Sequence, residues 1–396
     1  MRILLINHFP LAGSGSGVYV KNIAERLCKI GHEVCVIFPE NTSNIKKNDG
    51  VKIHPVFFKK DEKIEGQLNF NFPCMDIHPR SSFLFENMTK EQINQYENAF
   101  KNAIEEEIIK FKPDLIHSQH IWIISGLLKD YNIPYIITSH GAEFITYKKV
   151  NTFDKYGIDA IEGCGKLIAI SNDNMEEIIE KFPNAKDKMD FVKNGYNSRE
   201  FFIDLDINKK EILNKYSINE DFDKIVLFVG RISKLKGLDV LLKAAKIYEN
   251  DKTLTLIAGD GEYKEELKVM QEEMKLKNIV FLGSKEHSEL RNLYNIADVL
   301  VLPSRKEALP LVAIESLACG TPAIVTNQSG MDQIINEDVG LIFEMDNDKM
   351  LAEKINLILN NKRVFDKHLI ADYAQKHYSE EILINKLLDI YTEIKK

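Results

Sequence analysis

The sequence predicts an α/β protein built from two doubly wound, Rossmann-like domains, and three observations lead to this prediction. The chain has 396 residues, which is more than one hydrophobic core usually supports. Short apolar runs rich in Ile, Val and Leu alternate with longer amphipathic stretches, as in parallel strands covered by helices. This alternation occurs twice, on either side of a polar stretch near the middle of the chain.

The first series opens with a buried strand over residues 3–6, a glycine-rich loop and a helix over residues 18–30. Further strands of the same sheet are predicted over residues 33–38, 114–117, 135–139 and 166–170. Residues 60–88 contain phenylalanines and prolines without a clear period. We interpret this segment as a long functional loop or lid, because long irregular loops are uncommon in compact domains. For its phenylalanines we favour a local core over the alternative of a substrate platform.

The second series predicts another doubly wound sheet. Its strands are expected over residues 225–229, 254–258, 279–282, 299–302 and 323–326. Residues 197–223 are polar and lack an apolar period, which makes them the candidate linker. The predicted organisation is therefore an N-terminal domain over residues 1–196, a C-terminal domain over residues 197–375, and a last amphipathic helix within residues 376–396.

Composition narrows the class of protein. The chain is 44% hydrophobic and 28% charged, which is ordinary for a soluble globular protein. Its net charge of -8 argues against nucleic acid as a main partner. Five cysteines without a CxxC pair favour neither a disulfide framework nor a zinc site. The first apolar stretch is too short for a signal peptide, and no run approaches a membrane span. We expect a cytoplasmic protein and leave peripheral contact with the inner membrane face open.

Two pairs of charged residues in the second half point to an anionic, hydroxylated ligand. Arg231 follows a predicted strand, and Lys236 precedes the next helix, so both cations fall at the carboxyl edge of the sheet beside a helix N-terminus. That setting suits a diphosphate. Glu307 and Glu315 lie where a later strand turns into a helix. A carboxylate can accept two hydrogen bonds from vicinal hydroxyls, as on a ribose or hexose.

The first half offers weaker candidates. Glycines at positions 13, 15 and 17 follow the first strand, so their backbone N–H groups could approach an anion at a helix N-terminus; the alternative is a tight turn without a ligand. The loop does not follow the GxGxxG pattern, which disfavours a nicotinamide dehydrogenase. The spacing of His117 and His120, three residues apart just past a strand, would rarely place both rings on one metal ion. With Trp122, these histidines either line a ligand-binding cleft or simply pack there.

At this point the motifs become specific to a family. The chain resembles the family 4 retaining glycosyltransferases of GT-B fold. The motifs in the second half are Gly230-Arg231 with Lys236-Gly237, Gly259-Asp-Gly-Glu262, Phe281-Leu-Gly283, Pro303-Ser304, Glu307 with Glu315, and Ala318-Cys-Gly-Thr-Pro322. Those in the first half are the glycine loop, Gly31-His-Glu-Val34, His140-Gly141, Ala169-Ile-Ser171 and Asn194-Gly195.

The resemblance implies two facing Rossmann-like domains with an interdomain cleft, and a last helix that returns to the first domain. It implies roles for particular residues. Arg231 and Lys236 would hold the donor diphosphate, Glu315 the nucleotide ribose, and Glu307 hydroxyls of the transferred sugar. The implied catalytic residues are Glu307, His140, Arg231 and Lys236. The implied donor-binding residues are Gly15, Gly17, Arg231, Lys236, Gly283, Glu307, Leu309, Pro310, Leu311, Val312 and Glu315. In this interpretation His117, His120 and Trp122 line the acceptor side, unless they only pack there.

The implied reaction moves a hexosyl group from a nucleotide-diphosphate sugar to an acceptor hydroxyl with retention of anomeric configuration. UDP is the donor nucleotide that its frequency in the family favours. We expect neither a cofactor nor a metal. The chain does contain three Asp-x-Asp triplets, but none ends a second-domain strand: Asp204-Leu-Asp206, Asp221-Phe-Asp223 and Asp346-Asn-Asp348. The main alternative is a nucleotide-sugar epimerase of the same two-domain plan, and a non-catalytic sugar-nucleotide binding protein is a further one.

Overall fold

The structure is a computed structural model that describes residues 1–45, 50–76, 78–193, 195–218, 222–248, 250–306, 311–328, 331 and 334–395. The chain divides into two compact units. The first consists of Met1–Lys193 together with Leu383–Lys396, and the second of Asn194–Ile382. Each unit is built around one parallel β-sheet with helices on its faces. The predicted fold class, two Rossmann-like domains, is therefore confirmed.

The first sheet has seven parallel strands in the order β3-β2-β1-β4-β5-β6-β7. Their bounds are β1 Arg2–Ile6, β2 Glu33–Glu40, β3 Lys52–Phe57, β4 Leu115–Gln119, β5 Tyr135–Ser139, β6 Lys166–Ala169 and β7 Met189–Phe191. The strand order reverses between β1 and β4, whose register pairs Ile6 with Ser118. In open α/β sheets, ligands bind beyond the carboxyl ends of the strands at such a reversal.

The second sheet repeats this plan with six parallel strands in the order β10-β9-β8-β11-β12-β13. Their bounds are β8 Lys224–Val229, β9 Thr253–Ala258, β10 Ile279–Gly283, β11 Val299–Leu302, β12 Ala323–Thr326 and β13 Gly340–Phe343. Here the order reverses between β8 and β11, whose register pairs Leu227 with Leu300. The motif residues after β8 and β11 therefore come to one place at the edge of the sheet.

Some helices of the first unit begin at a clear side-chain cap. In chain order the helices are α1 Gly15–Lys29, α2 Lys90–Lys110, α3 Ile123–Leu127, α4 Glu143–Tyr147, α5 Asp154–Gly163 and α6 Asn172–Lys181. Ser14 caps α1 by accepting from the Gly17 N–H, and Thr89 forms a capping box with Gln92 at the start of α2. The last helix of the chain, Glu380–Ile394, buries Leu387 and Tyr391 against this unit's sheet.

The second unit carries seven helices in its described part. They are α7 Lys209–Lys215, α8 Leu238–Tyr248, α9 Lys264–Met274, α10 His287–Ile296, α11 Leu311–Ala318, α12 Asp348–Leu359 and α13 Lys367–Tyr378, which makes the last helix α14. The proposed linker over residues 197–223 was wrong. Phe201, Ile212 and Phe222 from this stretch are buried in the second core. One short helix and isolated aromatic residues give no period along the sequence, although they pack well.

Residues 60–88 bury much of their aromatic surface in the first unit. Phe72 and Phe85 are fully buried, and the ring of Phe85 meets those of Tyr96 and Trp122 edge-on at 5.7 and 5.4 Å between centroids. Of the two interpretations of these phenylalanines, the local core is therefore the one that the structure supports.

All five cysteines are free, and only Cys28 is partly exposed. None of the helices in the described residues combines the length and the apolar character of a membrane span.

Candidate functional site

At the carboxyl edge of the second sheet, two loops are held in backbone contact. Lys234–Lys236 form a single 3-10 turn after β8, and Gly237 ends that turn with a φ of 65°. A Cβ at position 237 would lie 1.9 Å from the carbonyl oxygen of Pro303, just beyond β11. Only glycine combines this left-handed backbone with such a close approach. The turn that carries Lys236 is thus pressed against the end of β11.

Arg231 and Lys236 are the two predicted diphosphate cations, and both are half-buried at this edge. Arg231 lies two residues beyond the end of β8. Its Nη2 lies 3.1 Å from Oε2 of Glu262. The side chains of that pair are 37% and 58% exposed, so water screens much of their attraction. An incoming diphosphate, with two charges close together, can compete with the exposed Glu262 carboxylate for the Arg231 guanidinium.

Glu315 lies in the second turn of α11 and is the predicted ribose ligand. The buried hydroxyl of Tyr294 donates to its Oε2 at 3.1 Å. Burial raises the pKa of Glu315 to about 7, against the opposing effects of His287 and the Tyr294 hydrogen bond. The carboxyl group is therefore poised to ionise near neutral pH. One of its oxygens is held by Tyr294, while the group keeps further lone pairs for ligand hydroxyls.

The remaining residues predicted for the donor site in this unit would act through their backbone groups. Leu311 and Val312 form the start of α11, where helix N–H groups have no partner within the helix. Gly283 ends β10, its carbonyl accepts from the Gly259 N–H at 2.9 Å, and nothing lies within 4 Å of the place where its Cβ would be. Glu307, Leu309 and Pro310 fall outside the described residues.

The glycine loop of the first unit separates into two kinds of position. The N–H of Gly17 already donates to the Ser14 hydroxyl at 3.0 Å, and a Cβ on Gly17 would lie 2.1 Å from the Pro10 carbonyl oxygen. Gly15, in contrast, is exposed and has nothing within 4 Å of its Cβ position. Packing alone explains Gly17, whereas Gly15 leaves room for a ligand.

His140 directly follows β5 at the carboxyl edge of the first sheet and is half-buried. Its Nε2 shares a hydrogen bond of 2.9 Å with Oε1 of Gln119, and its ring meets that of Tyr19 edge-on at 5.0 Å between centroids. Burial, assisted by the charge of His120, holds the pKa of His140 well below its usual range. The imidazole is therefore neutral and suited to hydrogen bonding with a hydroxyl.

Glu143 is a site residue that sequence reasoning missed. Its fully buried carboxylate lies 2.8 Å from Nδ1 of His120 and accepts from Ser139 Oγ at 2.7 Å and from the Ile121 N–H at 3.2 Å. Burial acts to raise the pKa of Glu143, but His120 and the hydrogen bonds outweigh it and lower the pKa to about 2. The one signal in the sequence was its place three residues after His140, beyond a predicted strand.

The three predicted acceptor-side residues differ in their surroundings. The side chain of His117 is fully buried, with Nδ1 2.7 Å from the Tyr391 hydroxyl and Nε2 2.8 Å from Thr138 Oγ1. Trp122 is fully buried among Phe85, Tyr147 and Phe153. For His117 and Trp122 the structure thus favours packing over direct contact with an acceptor.

His120 lies beneath the ring of His140, with 4.9 Å between the ring centroids, and its Nε2 is buried without a partner in the described structure. A chelating pair with His117 does not fit, because both nitrogens of His117 already have partners. An acceptor role for His120 stays a prediction.

Among the described residues, one group of side chains has metal-ligand spacing, and it does not belong to the predicted site. It consists of His54, Glu106 and Glu107. Lys52 Nζ lies 2.5 Å from Glu107, so an ammonium group already occupies this carboxylate. Of the Asp-x-Asp triplets, Asp346 is paired with Arg305 at 2.7 Å, and Asp221 falls outside the described residues.

Known proteins share both the fold and the sequence pattern. HepE of Anabaena, solved with UDP and also with UDP-glucose, superimposes with TM-scores of 0.76 and 0.75 at 14% identity, over 99% of this chain and 100% of that one. A D-inositol 3-phosphate glycosyltransferase of Corynebacterium urealyticum is 25% identical over 100% of this chain and 96% of its own length. An uncharacterised glycosyltransferase of Methanocaldococcus jannaschii is 33% identical over 92% of this chain and 90% of its own length.

Two family models cover most of the sequence. One, described as glycosyl transferases group 1, matches residues 208–377, and the other, described as glycosyltransferase family 4, matches residues 13–200. The two relatives from Corynebacterium urealyticum and Methanocaldococcus jannaschii are both named glycosyltransferases, which gives the epimerase alternative no support. With its two parallel Rossmann-like sheets and these matches over both halves, the chain belongs to the family 4 glycosyltransferases.

Proposed function

We propose that this glycosyltransferase moves a hexosyl group from a nucleotide-diphosphate sugar, with UDP as the nucleotide, to an acceptor hydroxyl with retention of anomeric configuration. The observation that carries the proposal is the pair of half-buried cations, Arg231 and Lys236, at the point where the strand order of the second sheet reverses. This is where α/β sheets bind phosphorylated ligands. HepE, which shares the fold, binds UDP-glucose.

In the proposed reaction, the bond between the anomeric carbon and the phosphate oxygen breaks as negative charge builds on the departing diphosphate. Arg231, Lys236 and the N–H groups at the start of α11 stabilise that charge. The acceptor oxygen bonds to the anomeric carbon on the face that the diphosphate leaves, and a donor phosphate oxygen takes the acceptor's proton. This path requires no pair of carboxylates flanking the bond, in contrast to glycosidases.

The other residues take orienting roles in this proposal. Glu315 binds the hydroxyls of the nucleotide ribose, and Glu307 binds hydroxyls of the transferred sugar without acting as a base. His140 contributes a neutral hydrogen bond to the sugar, as the family resemblance implies. Glu143 is unsuited to act as a base, because its carboxylate is already engaged by three buried donors.

The proposed chemistry uses no metal. Arg231, Lys236 and a helix N-terminus can together offset much of the charge of the leaving group. The aspartate triplets support this proposal: Asp346 is engaged by Arg305, and Asp204 accepts from the backbone N–H of Asp206 at 3.1 Å.

The test begins with a thermal-shift panel of UDP, GDP, ADP and their sugars, since a ligand that binds the native state raises its apparent stability. The best donor is then incubated with a panel of alcohols, and the anomeric configuration of the product is read by NMR. We expect stabilisation by UDP-sugars and a product that keeps the donor's configuration. An inverted product would refute the retaining mechanism, and the absence of any stabilisation would refute the donor class.

A further inference from the structure

We propose that Arg305 is a positioning residue for the donor cations: it fixes the turn that presents Lys236 without itself contacting the donor. This inference rests on the proposed function. The observation that supports it is a set of four hydrogen bonds. They join Arg305, three residues beyond the end of β11, to three other segments of the second unit.

Two of these bonds hold the turn itself. The backbone N–H of Arg305 donates to the carbonyl of Leu235 at 2.8 Å, and Nη1 of its side chain donates to the carbonyl of Lys234 at 2.5 Å. Lys236 is the next residue along the chain. The carbonyls immediately before this lysine are therefore fixed from the β11 side.

The other two bonds tie the guanidinium to neighbouring acids. Nη2 donates to Oδ2 of Asp239, in the first turn of α8, and Nε donates to Oδ1 of Asp346, in the loop after β13, both at 2.7 Å. A guanidinium presents its donors in a rigid plane and can bridge several acceptors at once, which an ammonium group cannot do in the same geometry. Arg305 thus joins the loops after β8, β11 and β13.

The setting of Arg305 makes its contacts more than a surface ion pair. Its side chain is 28% exposed and that of Asp239 is 16% exposed, so solvent screens their attraction less than at an open surface. The contact between Gly237 and Pro303 brings the same two loops together two residues away on each side. Loss of the Arg305 side chain should therefore loosen the Lys236 turn while the β-sheet stays intact.

The chain provides a matched control at the opposite edge of the same sheet. Lys224 begins β8, and its Nζ lies 2.9 Å from Oδ1 of Asp298. The side chains of this pair are 28% and 23% exposed, close to the exposure of Arg305 and Asp239. Substitution of Lys224 therefore breaks a comparable ion pair in the same unit, but away from the Lys236 turn.

The experiment compares Arg305→Met, Arg305→Lys and Lys224→Met in the full chain, with amide hydrogen exchange and with calorimetric binding of UDP. We expect Arg305→Met to speed exchange at the amides of Lys236 and Gly237, because local opening of the turn becomes easier. Lys224→Met should leave these amides unchanged. The Kd for UDP should rise about tenfold in Arg305→Met, less in Arg305→Lys, and not in Lys224→Met.

A double-mutant cycle separates positioning from general destabilisation. If Arg305 acts through Lys236, Arg305→Met should change the Kd for UDP by less than about twofold in a Lys236→Ala background. An undiminished effect in that background, or unchanged exchange in Arg305→Met, would overturn the inference. Failure of the proposed function looks different: wild-type protein would not bind UDP, GDP or ADP, while the exchange measurement would still decide whether Arg305 holds the turn.

Discussion

At the carboxyl edge of the first sheet, the carboxylate of Glu143 is buried and surrounded by three donors, whereas at the same edge of the second sheet Arg231 and Lys236 remain half-exposed. Both edges lie at a reversal of strand order, so topology alone does not distinguish them. Their side chains do. At the first edge the Glu143 carboxylate is buried with its partners, and this edge also carries the neutral imidazole of His140 and the amide of Gln119. At the second edge two cations remain partly exposed to solvent.

This contrast agrees with the proposed function, in which the two units bind different parts of the substrates. A neutral, hydrogen-bonding edge suits hydroxyl groups, and a cationic edge suits a diphosphate. It also indicates that substitutions at the two edges should fail differently. Substitution of Glu143 at the first edge should destabilise the fold, and substitution of the cations at the second edge should weaken turnover.

The largest expected effect is on stability, at the first edge. Glu143→Ala leaves His120 and two further donors without their buried acceptor, and we expect a loss of about 3 to 5 kcal/mol in the free energy of unfolding. Urea denaturation measures this loss. Glu177→Ala is the control, because it removes a partner of the exposed Lys148 and should cost less than about 1 kcal/mol. Equal losses in the two variants would show that the Glu143 network is not what holds this edge.

At the second edge, substitution of Glu315 should raise the free energy of unfolding rather than lower it. The pKa of Glu315 is raised by burial from 4.5 to about 7, so the folded state retains a proton that the unfolded state has lost. The stabilisation is complete below pH 4.5 and disappears as the pH rises through about 7. Glu315→Gln, which resembles the neutral form, should therefore be more stable than the wild type at pH 8, by about 2 to 3 kcal/mol.

The same variant should bind the donor less well, since the ionised carboxylate is lost. Urea denaturation at pH 5 and pH 8 and calorimetry with the donor measure the two effects. A gain in stability that is equal at both pH values would contradict the raised pKa, and unchanged donor binding would remove the ribose role of Glu315.

The effect on turnover should be largest for the two cations. Arg231→Ala and Lys236→Ala each remove a charge-assisted contact with the leaving diphosphate, worth roughly 1.5 to 3 kcal/mol, or about 10- to 150-fold in kcat/KM. Lys234→Ala is the control in the same turn, since the Lys234 side chain is largely exposed and lies 3.3 Å from Glu266. Steady-state kinetics should show near wild-type turnover for Lys234→Ala. Wild-type turnover in Arg231→Ala and Lys236→Ala would refute the diphosphate assignment.

The smallest expected effect is that of metal removal. If protein cations carry the charge of the leaving group, turnover should persist in excess EDTA and gain little from Mg²⁺ or Mn²⁺. Donor turnover measured with and without chelator tests this. Abolition of activity by EDTA, with rescue by Mn²⁺, would show that the second edge needs a metal in addition to Arg231 and Lys236.

The sequence predicted the strands that are central in each sheet, because runs such as residues 225–229 and 299–302 are apolar without interruption and buried on both faces. It missed three of the four edge strands and predicted the fourth, β10. β3 contains Pro55 and begins with Lys52, while β7 has three residues and β13 four. Such strands carry little periodic signal, and neighbouring strands rather than their own residues determine their conformation.

The chemistry of the site was predictable only in part. Arg231 and Lys236 stood out because cations after a strand and before a helix already suggest an anion site. The network of Glu143 depends on contacts with His120 and Ser139, and an acid beyond a strand is usually exposed. Similarly, the raised pKa of Glu315 depends on burial in the folded unit and is countered by Tyr294, 21 residues earlier in the chain. Neither relation is visible before the chain is folded.

The contact between Gly237 and the Pro303 carbonyl also limits how this enzyme can evolve. With only 1.9 Å available at the Cβ position, even an alanine at 237 would require the loop after β11 to move, and that loop also carries Arg305. No single change elsewhere restores the lost space, since the obstacle is a main-chain oxygen rather than a side chain. In a saturation library, position 237 should therefore accept glycine alone.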